Sequence, residues 1–284
     1  MHNLRYGTCA GAWGDVICSL GNFRKHVGNG GVIFFGNDPT IVDFLACQEF
    51  IETVEHVRPA AGFDWIPSFW NPMVNTPSPP FDPLDIITRG LTIPRQLITP
   101  THHNYASANT AVNFWSGGQL PEEAYLWADK ICESLPRRFY MVQPYSLNSN
   151  GYNRHWPYWG TLMQNLLDST ALSLVLVGHN LSPKLWGNRP GNHANLIDLI
   201  GKIPSMAHVF ALAEKSNGII TTSNSLAHWC QVQSLPTVVC CNTTSSQHEY
   251  YFRKSLDWPT LTCLDHSSSL NDALFAVHER LGQC

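Results

Sequence analysis

A carboxylate follows directly on the first apolar run of the chain. Residues 4–10 predict a short strand, Gly11 and Gly14 make a turn with Asp15, and Val16 begins a helical pattern. Ligands of an open parallel sheet bind beyond the carboxyl ends of its strands, so Asp15 is placed to accept a proton from an attacking hydroxyl group. The alternative is that Asp15 only caps the helix that begins at Val16, because aspartate is a favoured N-cap residue.

A second polar turn lies between two predicted strands in the last third of the chain. Ser223, Asn224 and Ser225 are short polar residues that favour a helix N-terminus, and His228 follows within the predicted helix. Such a turn directs backbone N–H groups and the positive end of a helix dipole at one point, which makes it a site for a phosphate or diphosphate. His228 is either a ligand contact or, as is commoner for a single histidine on a helix, a packed side chain.

A polar loop over residues 145–157 separates another predicted strand from another predicted helix. Ser146 opens this loop, and Arg154 carries the fixed donors that suit phosphate oxygens. The alternative for Arg154 is an ordinary solvated arginine, since most arginines are exposed. The next predicted strand ends at Gly178. Two polar turns and an arginine that converge favour a phosphate site more than any one of them alone.

The region over residues 62–118 has no regular pattern. Its proline-rich part, residues 75–83, cannot form a helix or strand, because proline removes hydrogen-bond donors and restricts the residue before it. Aromatic residues recur through the region, and long ordered loops of this kind are often functional. We expect part of an acceptor site here, with these candidate contacts: Trp13 from the first turn, and His102, His103 and Tyr105.

The elements that position these groups alternate between strands and helices. One series of strand and helix signals runs through residues 4–57, and a second runs from residue 139 onwards. This βαβαβ order predicts parallel sheets with helices on both faces. We therefore divide the chain into residues 1–136, residues 137–265 and a final helix within 266–284, which is free to pack back on the first half.

The final helix has clear signals of its own. Ser269, with Asp272 three residues later, predicts a capping box at its start. An apolar stripe at helical spacing then marks the face that the helix buries: Leu270, Leu274, Val277 and Leu281.

Composition restricts the classes of function. The chain has 284 residues, 44% of them hydrophobic and 13% charged, with a formal net charge of −4, so no global basic field favours non-specific nucleic-acid binding. The nine cysteines lack zinc-ligand spacing and are typical of a reducing compartment. No run reaches the ~20 apolar residues of a membrane helix, and the N-terminal residues lack a signal-peptide core. We expect a cytoplasmic protein without a membrane span.

Common cofactor and metal motifs are missing from the sequence. The early glycines do not form GxGxxG, there is no P-loop, and no Asp-x-Asp pair ends a strand to hold a metal–nucleotide complex. The adjacent pair His102–His103 lacks a third ligand nearby. Tyr250 and Lys254 match a dehydrogenase pair by letters but lie far too late in the chain. We expect neither a metal nor a bound cofactor.

Several segments together resemble glycosyltransferases of the GT-B fold, in particular the ADP-heptose:lipopolysaccharide heptosyltransferases of glycosyltransferase family 9. Residues 14–17 are similar to the family's N-terminal Gly–Asp motif, and residues 154–157 to its Lys–x–Trp–Pro segment. Residues 176–178 and 197–201 resemble its strand ends near the nucleotide. Residues 223–228 resemble its Asp–Thr–Gly–x–x–His turn at the diphosphate.

The resemblance implies an α/β protein with two Rossmann-like α/β/α domains that face a central cleft, the first for the acceptor and the second for a nucleotide-sugar donor. It implies inverting, metal-independent transfer of a hexosyl or heptosyl group to an acceptor hydroxyl, with Asp15 as the general base. It also implies a set of donor-binding residues: Gly14, Ser146, Arg154, Gly178, Ser223, Asn224, Ser225 and His228.

The departures from the family pattern concern both substrates. Arg154 replaces the family's lysine and keeps its charge. Residues 223–225 read Ser–Asn–Ser where the family has Asp–Thr–Gly, so a carboxylate contact with the donor is lost and the sugar or nucleotide can differ from ADP-heptose. The region near residues 60–118 does not match, so the family's acceptor does not carry over.

Three other functions remain open on the sequence. A GT-B enzyme that glycosylates a hydroxymethylated DNA base needs wedges and stacking partners, which the aromatic region could supply, although the net charge is negative. A sugar-nucleotide-binding module without catalysis would have no need of Asp15. A nucleotide-cofactor dehydrogenase would hold a nicotinamide.

Overall fold

The computed structural model describes residues 4–58, 91–99, 117–145, 156–169, 172–178, 190, 192–240, 260–264 and 267–282. By its internal contacts the chain divides into two compact units, Met1–Pro121 and Glu122–Cys284. Each unit is built on its own parallel sheet. In the described parts, no helix is long and apolar enough to cross a membrane.

The described elements of the first unit are β1 (Tyr6–Ala10), α1 (Trp13–His26), β2 (Gly30–Phe35), α2 (Thr40–Ala46), β3 (Ile51–Val57), a 3₁₀ turn (Arg95–Leu97) and β4 (Ile98–Thr99). The described strands form a four-stranded parallel sheet in the order β3-β2-β1-β4. Because β2 and β3 lie on one side of β1 and β4 on the other, the strand order reverses between β1 and β4.

Helix α1 places its apolar face on this sheet. Val16, Ile17, Leu20 and Phe23 recur at helical spacing and are fully buried. The helix begins at Trp13, three residues before the start predicted at Val16. The earlier start follows from Trp13 itself, because its buried ring packs on Phe44 of α2 at a centroid distance of 5.1 Å.

The described elements of the second unit are α3 (Glu122–Cys132), β5 (Phe139–Gln143), α4 (Trp159–Ser169), β6 (Ser173–Leu176), β7 (Leu196–Asp198), α5 (Met206–Lys215), β8 (Gly218–Thr221), α6 (Ser225–Gln233), β9 (Thr237–Cys240), β10 (Leu261–Leu264) and α7 (Leu270–Leu281). The strands among them form a six-stranded parallel sheet in the order β10-β9-β8-β5-β6-β7. The strand order runs outward from β5 to β7, returns to place β8 beside β5, and runs outward again on the other side.

Helix α3 belongs by its contacts to the second unit, because it packs on α5. Lys215 and Asp129 form an ion pair at 2.6 Å between these helices, and the rings of Trp127 and His208 meet edge to face. The division of the chain at residue 136 stays a prediction about domain organisation.

The final helix packs into the core of the second unit. Its start has the predicted capping box, in which the Ser269 and Asp272 side chains each accept from the other's backbone N–H. Val277 and Leu281 of the predicted stripe are buried, and Leu270 and Leu274 pack against the same core. The helix contacts α4, β9 and β10.

The end of α7 is joined to the two central strands of the second sheet. The buried hydroxyl of Tyr140 in β5 donates to the Leu281 carbonyl oxygen at 2.6 Å. A Cβ atom on Gly218, the first residue of β8, would lie 2.6 Å from the Leu281 side chain. Glycine is therefore required at the start of β8 so that the helix can approach the strand closely.

Candidate functional site

The turn after β1 lies where the strand order of the first sheet reverses. Gly11 has φ +94°, a conformation that favours glycine. A Cβ atom there would lie 2.6 Å from Asp15 Oδ2. Glycine is thus required both by the backbone conformation and by the approach of the carboxylate.

The Asp15 carboxylate lies in the first turn of α1. Ala12 is the N-cap residue, and its backbone N–H donates to Asp15 Oδ2 at 3.1 Å. The capping role considered for Asp15 is therefore present, with the N–H of Ala12 as donor and with Asp15 as the third helical residue rather than the N-cap. The side chain is half-buried at the carboxyl end of β1, and the neighbouring Gly14 is also half-buried. Negative charge in the first helical turn is favoured by the helix dipole.

The indole of Trp13 forms a hydrogen bond within the first unit. Its Nε1–H donates to Asp38 Oδ2 at 2.9 Å. The other oxygen of Asp38 accepts from the Thr40 backbone N–H at 3.0 Å and from the Thr40 hydroxyl at 2.6 Å. The Trp13 ring is only 5% exposed, so its polar atom and most of its surface serve packing, and a contact with an acceptor remains a prediction.

The turn after β8 lies where the strand order of the second sheet reverses, beside the end of β5. Thr221 and Gln143 are register partners at the ends of these two strands. The Thr222 N–H donates to the Gln143 carbonyl oxygen at 3.1 Å, and the Thr221 hydroxyl approaches the same oxygen at 3.3 Å. Ligands of doubly wound sheets bind in the crevice at such a reversal.

Asn224 fixes the start of α6. It is the N-cap residue, and its Oδ1 accepts from the Ala227 N–H at 3.1 Å. Its Nδ2 donates to the Thr221 hydroxyl oxygen at 3.0 Å, so the amide is held from both ends. The first N–H groups of a helix have no intrahelical acceptor, and at this turn they belong to Ser225 and Leu226. With buried Ser223 and half-buried Ser225 beside them, they form a group of uncharged donors suited to an anion.

His228 lies on the half-buried side of α6. Its backbone N–H donates to the Asn224 carbonyl oxygen at 3.4 Å, and its Nδ1 is 3.4 Å from Gln231 Oε1. The ring is therefore neither fully packed nor fully solvated. His228, in the first turn of α6, is therefore a candidate for a second contact with a bound anion.

Helix α6 is held against α5 by Trp229. Its ring stacks on Phe210 of α5 at a centroid distance of 5.1 Å, and its Nε1–H donates to Glu214 Oε1 at 3.1 Å. Burial raises the pKa of Glu214, and hydrogen bonds from Trp229 and Tyr125 lower it in part. Helix α6 is thus anchored through a partly desolvated carboxyl group.

Gly178 follows β6 at the same edge of the second sheet, one strand beyond β5. Its φ is +148°, and its carbonyl oxygen accepts from the Gly201 N–H at 2.9 Å. The Asp198 side chain accepts from the Ile200 N–H at 2.9 Å in the turn after β7. The end of the predicted strand at Gly178 is therefore bonded to the turn that follows β7.

The structure brings Ser223, Asn224, Ser225 and His228 together on one turn, and it places Gly178 on the same sheet edge. Asp15, Gly14 and Trp13 lie together at the start of α1 in the first unit. The remaining predicted site residues fall outside the described residues: Ser146, Arg154, His102, His103 and Tyr105. Among the described residues, no three His, Cys, Asp or Glu side chains form a group that could hold a metal.

Two residues beside the N-cap of α6 were not among the predicted site residues. Thr221 supports the N-cap through its hydroxyl, and Gln143 ends β5 beside it. Gln143 stands out only as a polar residue that closes the apolar run Phe139–Val142, which is a weak signal. Its place next to Thr221 depends on pairing between strands 78 residues apart.

Solved glycosyltransferase structures have the same architecture over the whole chain. A glycosyltransferase family 9 structure from Veillonella parvula aligns with 100% of this chain and 98% of its own, with a TM-score of 0.65 and 12% identity. The structure of E. coli ADP-heptose lps heptosyltransferase II aligns over 99% of both chains, with a TM-score of 0.64 and 12% identity. E. coli heptosyltransferase WaaC with ADP aligns with 97% of this chain and 99% of its own, with a TM-score of 0.58 and 12% identity. The fold is GT-B.

The predicted GT-B fold class and the predicted similarity to family 9 glycosyltransferases are thereby confirmed. No protein-family model matches the sequence, and a search of curated proteins gives no match. At 12% identity the similarity establishes the fold, and function has to be argued from the two turns.

Proposed function

We propose that this protein is a glycosyltransferase that moves a sugar from a nucleotide-diphosphate sugar to an acceptor hydroxyl group. The observation that carries the proposal is the turn over residues 221–225. At this turn the N-terminus of α6 is capped by an amide, and its first turn has no acidic side chain. The turn lies where the strand order reverses in a sheet of a GT-B fold. A diphosphate is the anion that this arrangement suits, because the backbone donors and the helix dipole act on it together.

The departing diphosphate would be stabilised by the second unit. The N–H groups at the start of α6 and the hydroxyls of Ser223 and Ser225 would donate to its oxygens, and His228 would add a contact from the first turn. Arg154, matched by the family resemblance, would supply the positive charge. Such preorganised donors lower the barrier because they already point to where negative charge develops.

The acceptor would be activated by Asp15 of the first unit. As the acceptor oxygen attacks the anomeric carbon, its proton would pass to the Asp15 carboxylate, and the bond from that carbon to the diphosphate oxygen would break with its electron pair leaving on the diphosphate. A single displacement of this kind inverts the anomeric configuration. The Asp15 carboxylate accepts the Ala12 N–H through Oδ2, and we assign the acceptor proton to the same carboxylate.

We propose that transfer requires no metal, because the sequence has no Asp-x-Asp pair at a strand end and Arg154 can supply the positive charge. A carbohydrate acceptor is preferred over a DNA base, because the net charge of −4 gives no basic field for a duplex. Because none of the seven described cysteines is in a disulfide, we also propose a reducing, cytoplasmic setting.

The donor is tested by calorimetric titration with ADP-heptose, UDP-glucose and their nucleoside diphosphates. ADP-heptose comes first because a neighbouring E. coli structure is named for it, although the Ser–Asn–Ser turn departs from the family's Asp–Thr–Gly. We expect binding of at least one nucleotide sugar and release of its nucleoside diphosphate when a glycan acceptor is added, with the same rate in EDTA. A protein that binds none of these compounds would overturn the proposal.

The non-catalytic alternative has one observation in its favour, namely that the Asp15 carboxylate serves its own helix. It predicts donor binding without turnover under every acceptor tested. Slow hydrolysis of the bound donor to free sugar would decide between the two, because a catalytic site transfers to water when no acceptor is present, whereas a binding module does not.

A further inference from the structure

Two buried glutamines in this protein have very different surroundings. Gln48 of the first unit is 3% exposed and fully bonded: its Nε2 donates to the carbonyl oxygens of Phe44 at 2.6 Å and Gln119 at 2.8 Å, and its Oε1 accepts from the Gln119 N–H at 3.1 Å. Gln143 of the second unit is 7% exposed, and among the described residues its Oε1 has no hydrogen-bond partner. A buried acceptor without a donor costs free energy, so its persistence requires a reason.

The location of Gln143 supplies that reason. It is the last residue of β5 and pairs with Thr221, which is the last residue of β8. Alternation along β5 places Tyr140 and Val142 on the face covered by α4 and α7, so Gln143 belongs to the opposite face. Thr221 is on that opposite face too, because Ile220, the residue before it in β8, packs with Tyr140 and Val142.

The same face carries the start of α6. The Thr221 hydroxyl is bonded to the Asn224 amide that caps this helix. Neighbouring strands lie about 4.8 Å apart. Gln143 therefore lies one strand away from Thr221, whose hydroxyl supports the cap of α6.

Two other buried side-chain atoms lack a partner among the described residues, and neither lies at this point. Trp159 Nε1 belongs to the core on the α4 and α7 face. Thr260 Oγ1 precedes β10, at the amino ends of the strands and so at the opposite edge of the sheet. Of the three, Gln143 is the one at the carboxyl edge where a GT-B donor site is proposed.

We propose that Gln143 is a specificity-determining residue of the donor site, whose Oε1 accepts a hydrogen bond from a hydroxyl group of the bound nucleotide sugar. The inference rests on the proposed function and adds a recognition contact to it. A diphosphate at neutral pH has no proton to donate, so the donor must come from the groups attached to it. The ribose and the transferred sugar are the nearest of these, because each is attached directly to the diphosphate.

The test compares Gln143→Met with the wild type by calorimetry and thermal unfolding, and it uses Gln48→Met as the matched control. The titrants are ADP-heptose or UDP-glucose, whichever the wild type binds, and the corresponding nucleoside diphosphate. Methionine keeps the volume of glutamine and removes the unpaired oxygen. We expect Gln143→Met to bind the nucleotide sugar about three- to tenfold more weakly, as the loss of one hydrogen bond predicts, without a fall in unfolding temperature.

The titrants separate the two sources of the hydroxyl group. Equal weakening for the nucleotide sugar and the nucleoside diphosphate assigns the contact to the ribose. Weakening for the nucleotide sugar alone assigns it to the transferred sugar. Gln48→Met should unfold at a markedly lower temperature and bind both compounds as the wild type does, because the three hydrogen bonds it loses all lie within the first unit.

Two results would overturn the inference while leaving the proposed function intact. The first is wild-type affinity of Gln143→Met for both compounds. The second is a fall in its unfolding temperature as large as that of Gln48→Met, which would show that the Gln143 amide is structural. A wild-type protein that binds no nucleotide sugar would instead remove the proposed function, and this inference with it.

Discussion

The turn after β1 and the turn after β8 both lie where the strand order of a parallel sheet reverses, but they differ in charge. The first places a carboxylate in the opening turn of α1, where Asp15 accepts the Ala12 N–H. The second has no acidic residue, and the amide of Asn224 caps α6 instead. Both helices are capped, and only the first helix N-terminus has its positive end neutralised by a charged side chain.

This difference shows how one local geometry can serve two chemical tasks. A helix N-terminus that contains its own carboxylate is poorly suited to a second anion but holds a base in a fixed orientation. A helix N-terminus with a neutral cap keeps its dipole and its first N–H groups for a ligand. The four predictions below alter one turn at a time, from the largest expected effect to the smallest.

Asp15→Asn removes the charge of the first turn and keeps an oxygen that can accept the Ala12 N–H. We expect transfer to fall by about 10²–10⁴, the usual effect of losing a positioned base, while the nucleotide-sugar dissociation constant is unchanged. Initial rates and calorimetry on the same preparation measure both quantities. If donor affinity falls as far as the rate does, Asp15 is not the base and the contrast between the turns fails.

Gly11→Ala tests the close approach of the same carboxylate. Its Cβ would lie 2.6 Å from Asp15 Oδ2 on a backbone with φ +94°. Gly117→Ala is the matched control in the same unit, because Gly117 has φ +70° and nothing within 4 Å of its Cβ position. We expect the free energy of unfolding to fall by about 1–3 kcal/mol at Gly11 and by less at Gly117, as measured in urea.

The difference between these two variants isolates the contact with Asp15 from the cost of a left-handed backbone. Gly11→Ala should also reduce transfer, because the carboxylate has to move, whereas Gly117→Ala should not. Equal effects of the two substitutions on both stability and rate would show that the approach of Asp15 to Gly11 has no consequence.

Asn224→Asp makes the second turn resemble the first. The carboxylate can still accept the Ala227 N–H, so α6 stays capped and gains a favourable interaction with its dipole. The new charge repels a diphosphate, and we expect roughly tenfold weaker binding of the nucleoside diphosphate at low salt, with a smaller effect at high salt. Tighter binding, or a change independent of salt, would contradict an anion at this position.

Glu214→Gln tests the anchor of α6 and should have the smallest effect. Burial raises the pKa of Glu214 above its ordinary value of 4.5, so the folded state keeps its proton to higher pH than the unfolded state does. Its contribution to stability is therefore greatest at low pH and decreases as pH rises through the raised pKa. Urea unfolding of the variant across this pH range should no longer show that decrease in stability. An unchanged pH profile would assign the decrease to other groups.

The sequence indicates the two turns better than it indicates their surroundings. Apolar runs followed by Gly11 or by residues 221–225 predict strand, turn and helix, because these signals are local. The start of α1 was placed three residues late, since the packing of Trp13 on Phe44 depends on a second helix. No local rule places Thr221 beside Gln143, because that pairing joins distant strands across the return connection of the sheet.

The polar details of the site were least predictable for the same reason. Ser223, Asn224 and Ser225 could be recognised as capping residues, yet the bond from Asn224 to Thr221 and the unpaired oxygen of Gln143 appear only in the assembled sheet. The hydrogen bond from the Trp13 indole to Asp38 could not be predicted from the sequence either. Sequence patterns identify which residues favour a turn, and the tertiary fold decides which of their atoms stay available.

The attachment of α7 to the second sheet gives the last helix an influence on ligand binding without any contact to ligand. Removing residues 270–282 would leave the Tyr140 hydroxyl buried without its acceptor and would open a gap over Gly218, at the opposite ends of the strands that lead to Gln143 and Thr221. Shortened versions of the protein that end before this helix should therefore bind nucleotides poorly, even though every proposed donor-binding residue is retained.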